Sequence, residues 1–254
     1  MGIDVEKVNF ICLHGFLGQP TDWDLIKSYF MVSPFAQKFD WWSVDYMNQP
    51  GLDARNSFLE WSQNFNRQVA QKFPLGPRIL VGYSLGGRLA LHALAESAKL
   101  YDAVILLSTN PGLTREKEKV DRVQNDQIWA QKFLQSPWAE LMTQWNGQNV
   151  FKDSLLEPKR LEIHYQRDLL AKALTEWSLA NQADFRELIA SQQEKILWLS
   201  GEKDIKFLSI AMEIQKKSPG IATETIAGAA HRVLFDNPSD VAQRMIPFLT
   251  KRFI

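Results

Sequence analysis

The sequence predicts an α/β fold in which a mostly parallel sheet carries helices on both faces and a helical cap is inserted. Short apolar runs alternate with amphipathic stretches along the 254 residues, as strands and helices do in α/β proteins. Runs such as 79–81 and 104–107 are apolar at every position, which is typical of strands buried between helices. This alternation stops between about Asn110 and Phe185, where the chain is rich in charge and tryptophan.

The elements follow in order from this periodicity. We expect strands at 8–14, 41–45, 78–83, 103–108, 196–200 and 223–226, and helices at 54–72, 85–98, 206–217 and 238–252. The stretch from about Asn110 to Phe185, which interrupts the alternation of strands and helices, has a helical pattern almost throughout. We therefore assign residues 1–110 and 186–254 to the α/β core and residues 111–185 to a helical cap, which follows a strand end where open α/β sheets bind ligands.

The formal charge is balanced, with 29 Lys and Arg against 29 Asp and Glu. Such a chain lacks the cation excess that general nucleic-acid binders and polybasic membrane-surface proteins use. The one cysteine, Cys12, allows no intramolecular disulfide, which fits a reducing compartment. With no recognisable signal peptide and no apolar run of about 18 residues, we expect a cytoplasmic protein without a membrane span.

Residues 82–86 are Gly-Tyr-Ser-Leu-Gly, a G-x-S-x-G pattern between a predicted strand and a predicted helix. A serine in such a sharp turn has a strained backbone, and the flanking glycines let neighbouring chains approach closely. We therefore interpret Ser84 as the serine of a nucleophile elbow. The alternative is an inert serine in a glycine-rich turn.

An activated serine needs a base, and the candidate histidines are His14, His92, His164 and His231. His92 falls on the helix after the elbow and should face away from Ser84, while His164 falls in the cap. His231 follows the last strand on a loop, where it can reach the serine. Asp204 follows the penultimate strand and is expected to hold the imidazole tautomer, with Glu202 as its rival.

Several further segments match the sequence pattern of one protein family. They are residues 13–18, 22–23, 82–90, 110–113, Arg122, Asp126, 129–130, 133–134, Trp145, 150–151, 200–207 and His231. On these residues the sequence resembles the α/β-hydrolases over its full length, and more closely the 2-succinyl-6-hydroxy-2,4-cyclohexadiene-1-carboxylate synthases of menaquinone biosynthesis. The elbow is common to many types of hydrolase. The combination of an arginine four residues after the serine, a Pro-Gly-Leu turn and a tryptophan-rich cap is specific to far fewer.

The resemblance implies a lyase. A proton leaves a ring carbon of the substrate, electrons shift through the conjugated system, and pyruvate is eliminated. The triad of Ser84, Asp204 and His231 would act as a general base without an acyl-enzyme. The backbone N–H groups of Phe16 and Leu85 would form the oxyanion hole.

The substrate of that family carries several carboxylates, so the resemblance also implies cations in the pocket. Arg88, one helical turn after the serine, and Arg122, in the cap, are the candidates, with Arg167 as a weaker third. Tyr83 and Trp145 are expected to line the pocket. The alternatives are a surface arginine at 88, a solvated charged helix around 122, and ordinary core aromatics.

No metal-binding or phosphate-binding motif is present in the sequence, so we expect no metal and no cofactor. The resemblance implies a small polycarboxylate substrate as the partner. His14 is expected to brace its loop.

Ala230 stands where the family commonly has glycine, and residues 232–235 are less polar than expected. Two alternatives therefore stay open: a carboxylesterase or thioesterase that forms an acyl-serine, and a catalytically inactive binding protein. The sequence leaves the oligomeric state open.

Overall fold

The computed structural model describes residues 7–254, and these contain six strands in one sheet of order β2-β1-β3-β4-β5-β6. Every pairing between neighbouring strands is parallel. The strands are β1 (Val8–Leu13), β2 (Phe39–Val44), β3 (Arg78–Tyr83), β4 (Ala103–Leu107), β5 (Ile196–Gly201) and β6 (Ala222–Ile226). The predicted fold class and all six predicted strands are confirmed, with small shifts at the ends.

The sheet is buried from both sides because its side chains alternate between two hydrophobic cores. Ile11 and Leu13 of β1 join one core, whereas Phe10 and Cys12 join the other. The register pairs Leu13 with Gly82. The carboxyl ends of the central strands therefore meet at one edge, where ligands bind in open parallel sheets.

Helices cover both faces, as predicted. The helices are α1 (Asp24–Phe30), α2 (Phe58–Lys72), α3 (Leu85–Glu96), α4 (Glu116–Gln135), α5 (Trp138–Asn146), α6 (Arg167–Glu176), α7 (Arg186–Ser191), α8 (Ile205–Lys217), α9 (Val233–Asp236) and α10 (Pro238–Phe253). Buried residues of α1 and α10 belong to one core, and buried residues of α2, α3 and α8 belong to the other.

Two helical features differ from the sequence prediction. The helix expected from residue 54 begins at Phe58, because Ser57 forms a capping box with Glu60: the serine hydroxyl accepts from the Glu60 N–H, and the glutamate accepts from the Ser57 N–H at 2.9 Å. Helices α7 and α9 have no counterpart among the predicted elements, and neither does α1. It follows a short turn at Pro20–Trp23 and buries Ile26 and Phe30.

The insertion between β4 and α7 is helical in three places, α4, α5 and α6, and α4 packs along α6. The expectation of helix almost throughout is wrong for residues 147–166, which contain only the short 3-10 turns Asn149–Phe151 and Glu162–His164. Several backbone groups there bond to residues outside the segment. The Leu155 N–H donates to Asp236 at 2.8 Å, and the Arg160 carbonyl accepts from the Trp138 indole at 2.9 Å.

Candidate active site

Ser84 occupies the sharp turn between β3 and α3, with φ 53° and ψ −110°. This is a costly conformation for a residue with a side chain, and the packing around it enforces it. A Cβ on Gly82 would lie 2.5 Å from the Gly86 carbonyl oxygen, and a Cβ on Gly86 would collide with the carbonyl oxygen of Leu13. The two glycines are thus required by close approach of the chain on either side of the serine.

His231 and Asp204 meet Ser84 at the carboxyl edge of the sheet. The Ser84 Oγ lies 3.0 Å from His231 Nε2, and His231 Nδ1 lies 2.7 Å from Asp204 Oδ2. Asp204 follows β5 and His231 follows β6, and both side chains are buried. Since a carboxylate only accepts, Nδ1 carries the proton and Nε2 is left to accept from the serine hydroxyl.

Glu202, the rival acid, serves another purpose. Its carboxylate accepts from the Gly228 N–H at 2.7 Å and is exposed, so it braces the turn before the histidine. The structure therefore brings Asp204, and not Glu202, to the imidazole.

The other three histidines lie away from the serine hydroxyl. His14 is buried, stacks on Tyr46 at 4.3 Å and has Nδ1 2.8 Å from the Gly15 carbonyl oxygen, and burial lowers its pKa. His92 stacks on Phe58 at 3.8 Å, and burial lowers its pKa to about 3. His164 is exposed and bonds to the side chain of Gln19.

Phe16 and Leu85 both lie near the serine. A Cβ on Gly15 would lie 3.6 Å from the Ser84 Cβ, so the loop that carries Phe16 packs against the elbow. Leu85 is the first residue of α3, where backbone N–H groups have no intrahelical acceptor. Both residues line the cavity beside the serine. Their backbone N–H groups stay the predicted oxyanion hole.

The serine opens into a cavity of about 350 Å³ between the sheet edge and the insertion. The structure brings together in its wall most residues that the sequence singled out: Phe16, Tyr83, Ser84, Leu85, Arg88, Arg122, Trp145 and His231. Asp204 lies outside the cavity wall and contacts the other ring nitrogen of His231. Burial raises the pKa of Tyr83, so its phenol stays neutral. Trp145 contacts Phe16 with ring centroids 4.8 Å apart.

Arg88 is buried, with 8% of its surface exposed. Its Nε donates to Gln182 Oε1 at 2.6 Å, and Nη2 donates to the Trp177 carbonyl at 2.6 Å. Burial, and then the nearby charge of Arg122, lower its pKa to about 9, so the guanidinium stays cationic at neutral pH. A buried cation of this kind favours an anionic ligand.

Arg122 reaches the same cavity from α4, with Nε donating to Asp126 at 2.7 Å. Lys206 is a third cation in the wall, and sequence reasoning missed it as a binding residue. The residue as a whole is exposed, but partial desolvation of its ammonium group, and then the nearby charge of Arg122, lower its pKa. The sequence feature that could have identified it as a binding residue is its position two residues after Asp204, in the first turn of α8.

Arg167 does not belong to this set. Its Nε donates to the Phe133 carbonyl at 2.6 Å and Nη2 donates to the Ser136 carbonyl, so its guanidinium caps the end of α4. It lies outside the cavity wall.

Within residues 7–254, no group of three or more His, Cys, Asp or Glu side chains is arranged to hold a metal ion. Over the same residues, no helix has the length and apolar character needed to cross a membrane.

Comparison with known proteins identifies relatives over most of the chain. A family model described as the alpha/beta hydrolase fold matches residues 8–238. A putative 2-succinyl-6-hydroxy-2,4-cyclohexadiene-1-carboxylate synthase of Haemophilus influenzae is 32% identical over 242 residues, 91% of this chain and 92% of the relative. The synthase of that name from Citrobacter koseri is 28% identical over 247 residues, 94% of this chain and 92% of the relative.

Solved structures share the fold. MenH from S. aureus superposes with a TM-score of 0.81 at 20% identity, over 98% of this chain and 96% of its own. A carboxylesterase structure from Nitrososphaera gargenis gives a TM-score of 0.77 at 15% identity, over 98% of this chain and 92% of its own. At these identities the likeness concerns the fold alone.

Proposed function

The chain belongs to the alpha/beta hydrolase family and to its 2-succinyl-6-hydroxy-2,4-cyclohexadiene-1-carboxylate synthases, and on that premise we propose a lyase of menaquinone biosynthesis. Its reaction eliminates pyruvate from 2-succinyl-5-enolpyruvyl-6-hydroxy-3-cyclohexene-1-carboxylate. One observation carries the proposal: the hydrogen-bonded series Ser84, His231 and Asp204 opens into a cavity whose wall holds Arg88 and Lys206. A base and several cations in one cavity suit proton removal from a polycarboxylate.

In the proposed mechanism, His231 takes the proton of the Ser84 hydroxyl, and the serine oxygen removes a proton from a ring carbon. The electron pair of that C–H bond moves through the ring system, and the C–O bond to the enolpyruvyl group breaks. The departing group takes up a proton and is released as pyruvate. Asp204 stabilises the imidazolium that forms, and the N–H groups of Phe16 and Leu85 stabilise negative charge as it develops.

Two cavity cations differ in how they are compensated. Arg122 shares its charge with Asp126, whereas Arg88 is held by neutral acceptors. We assign Arg88 and Lys206 to carboxylates of the substrate, with Arg122 as an additional contact from the insertion. The polycarboxylate nature of the substrate and the cytoplasmic location stay predictions.

Residues 111–185 are proposed to act as a cap that keeps water from the reacting atoms. The support is that α4 supplies Arg122 and Trp129 to the cavity wall, and α5 supplies Trp145. The indoles of Trp129 and Trp145 pack edge to face with centroids 5.0 Å apart. The two indole rings form an apolar part of the cavity wall.

The proposal is tested by pyruvate release from the intermediate, coupled to lactate dehydrogenase. The unaltered protein should release pyruvate, and Ser84→Ala should lower kcat by about 10²-fold or more, since general acid–base terms have that size. Ser191→Ala, on the exposed surface of α7, is the matched control and should retain the rate. No pyruvate at micromolar enzyme would refute the lyase.

A carboxylesterase or thioesterase is the second candidate, and the 3.0 Å approach of Ser84 Oγ to His231 favours it because that geometry also activates a nucleophile. Under this alternative, p-nitrophenyl esters would leave an acyl group on Ser84, visible as a mass increase during turnover. Pyruvate release without such an adduct decides for the lyase.

A further inference from the structure

The buried guanidinium of Arg88 has no carboxylate partner within 4.0 Å among residues 7–254. Its two protein acceptors, Gln182 Oε1 and the Trp177 carbonyl, are both neutral. Asp126 is close enough to influence it electrostatically, but that carboxylate accepts from Arg122 Nε and from Ser178 Oγ, both at 2.7 Å. A buried charge without a counterion is expensive, so the cavity around it favours an anion.

Gln182 is itself buried, with 4% exposed, and both ends of its amide are engaged. Its Nε2 donates to the Asn110 carbonyl oxygen at 2.9 Å. That bond fixes the orientation of the amide, because the nitrogen must face the carbonyl and the oxygen must face Arg88. The side chain therefore links the end of β4 to the guanidinium in a single arrangement.

We propose that Gln182 is a positioning residue that holds Arg88 towards the cavity through a neutral acceptor and so leaves its charge available to a carboxylate of the ligand. A glutamate in this place would form a charge-assisted pair with Arg88 and would compete with the ligand for the same cation. The inference rests on the proposed function in that it takes the ligand to be anionic. It adds that a neutral side chain at 182 is required.

Two substitutions of nearly equal size separate this role from simple support. Gln182→Glu keeps an oxygen beside Arg88 Nε but adds a negative charge and loses the N–H that donates to the Asn110 carbonyl, whereas Gln182→Met keeps the volume and neutrality but removes both hydrogen bonds. If the residue only supports the structure, each change should weaken charged and uncharged ligands alike. If neutrality matters, Gln182→Glu is the more harmful change for anionic ligands.

The measurement is binding of phthalate, followed by quenching of tryptophan fluorescence, because Trp129 and Trp145 line the cavity. Relative to the unaltered protein, Gln182→Glu should raise the Kd for phthalate by about 10- to 100-fold, which is the usual effect of a competing charge. Gln182→Met should raise it by less than about tenfold. Dimethyl phthalate, the uncharged probe, should not distinguish Gln182→Glu from Gln182→Met.

Thermal unfolding checks that each variant is folded, and Gln182→Asn replaces Gln182→Met if the latter is not. The inference is overturned if the neutral variant binds phthalate more weakly than Gln182→Glu, or if the unaltered protein shows no saturable binding of phthalate. Its failure is separate from failure of the lyase proposal. Absence of pyruvate release refutes the lyase, whereas the order of the phthalate Kd values decides the role of Gln182.

Discussion

Replacing Asp204 by asparagine tests the catalytic series most directly. Its Oδ2 lies 2.7 Å from His231 Nδ1, and both side chains are nearly inaccessible to solvent. An asparagine has the same shape, but it carries no charge and can turn its NH₂ towards Nδ1. The imidazole would then carry its proton on Nε2, which could no longer accept from Ser84.

The size of the effect follows from the geometry. When the imidazole takes the serine proton it becomes cationic, with its charge centre about 4 Å from the carboxylate. At an effective dielectric constant of about 20, this attraction is worth about 4 kcal/mol, or roughly a 10³-fold change in rate. We expect Asp204→Asn to lower kcat by about 10²- to 10⁴-fold, with little change in KM.

The assay is steady-state pyruvate release, with circular dichroism to verify folding. Glu202→Gln is the matched control, because Glu202 is an acid two residues away whose carboxylate binds the Gly228 N–H and not the imidazole. It should retain kcat within about threefold, because the glutamine oxygen can still accept from the Gly228 N–H. A fully active Asp204→Asn, or an inactive but folded Glu202→Gln, would refute the assignment.

Three further predictions follow from the same contacts. Arg122→Met should raise KM for the polycarboxylate about tenfold or more, whereas Arg167→Met should leave it within about twofold in steady-state kinetics. Burial depresses the pKa of His92 to about 3, so below about pH 6.5 the unfolded chain takes up a proton that the folded protein does not, and the folded protein loses stability as the pH falls. In urea unfolding, His92→Phe should reduce the loss of stability between about pH 7 and 5 by roughly 1–2 kcal/mol. His164→Gln is the control and should not change that loss. Gly86→Ala should lower unfolding free energy by about 3 kcal/mol or more, since its methyl group meets backbone; an unchanged urea midpoint would contradict this.

The central strands could be predicted because burial from two sides leaves few polar positions in their sequences. All five residues of β4 are buried, and they form an uninterrupted apolar run. The meeting of Ser84, Asp204 and His231 could be predicted because each of them follows a strand and parallel strands end at one edge. Ser84 follows β3, Asp204 follows β5 and His231 follows β6, so strand order alone brings them near one another.

The contacts of the cations could not be predicted, because they depend on residues far apart in the chain. Arg88 meets Gln182, which is 94 positions away. Arg167 lies in the same insertion as Arg122 and has an equally suitable side chain, but its guanidinium caps α4. The irregular segment 147–166 was also misassigned, since its backbone is satisfied by partners such as Asp236 that local periodicity does not contain.

The unusual residues around the histidine are accounted for by contact with the insertion. Ala230 is not among the positive-φ residues, so position 230 does not require glycine, and its N–H donates to Asp236 Oδ2 at 3.0 Å. The other oxygen of Asp236 accepts from the Leu155 N–H at 2.8 Å. A single carboxylate thereby joins the residue before the histidine to the insertion.

Arg232, directly after the histidine, extends this connection. Its guanidinium lies 4.1 Å from the Phe151 ring centroid and donates to the Leu156 carbonyl at 3.4 Å and to the Asn146 side chain. Phe151 in turn lines the cavity and lies 5.9 Å from the His231 ring. Both neighbours of the base are therefore held by the segment 146–156, Arg232 directly and Ala230 through Asp236. If the insertion acts as the proposed cap, these contacts would couple the orientation of the imidazole to the exclusion of water, through side chains that the family pattern alone does not require.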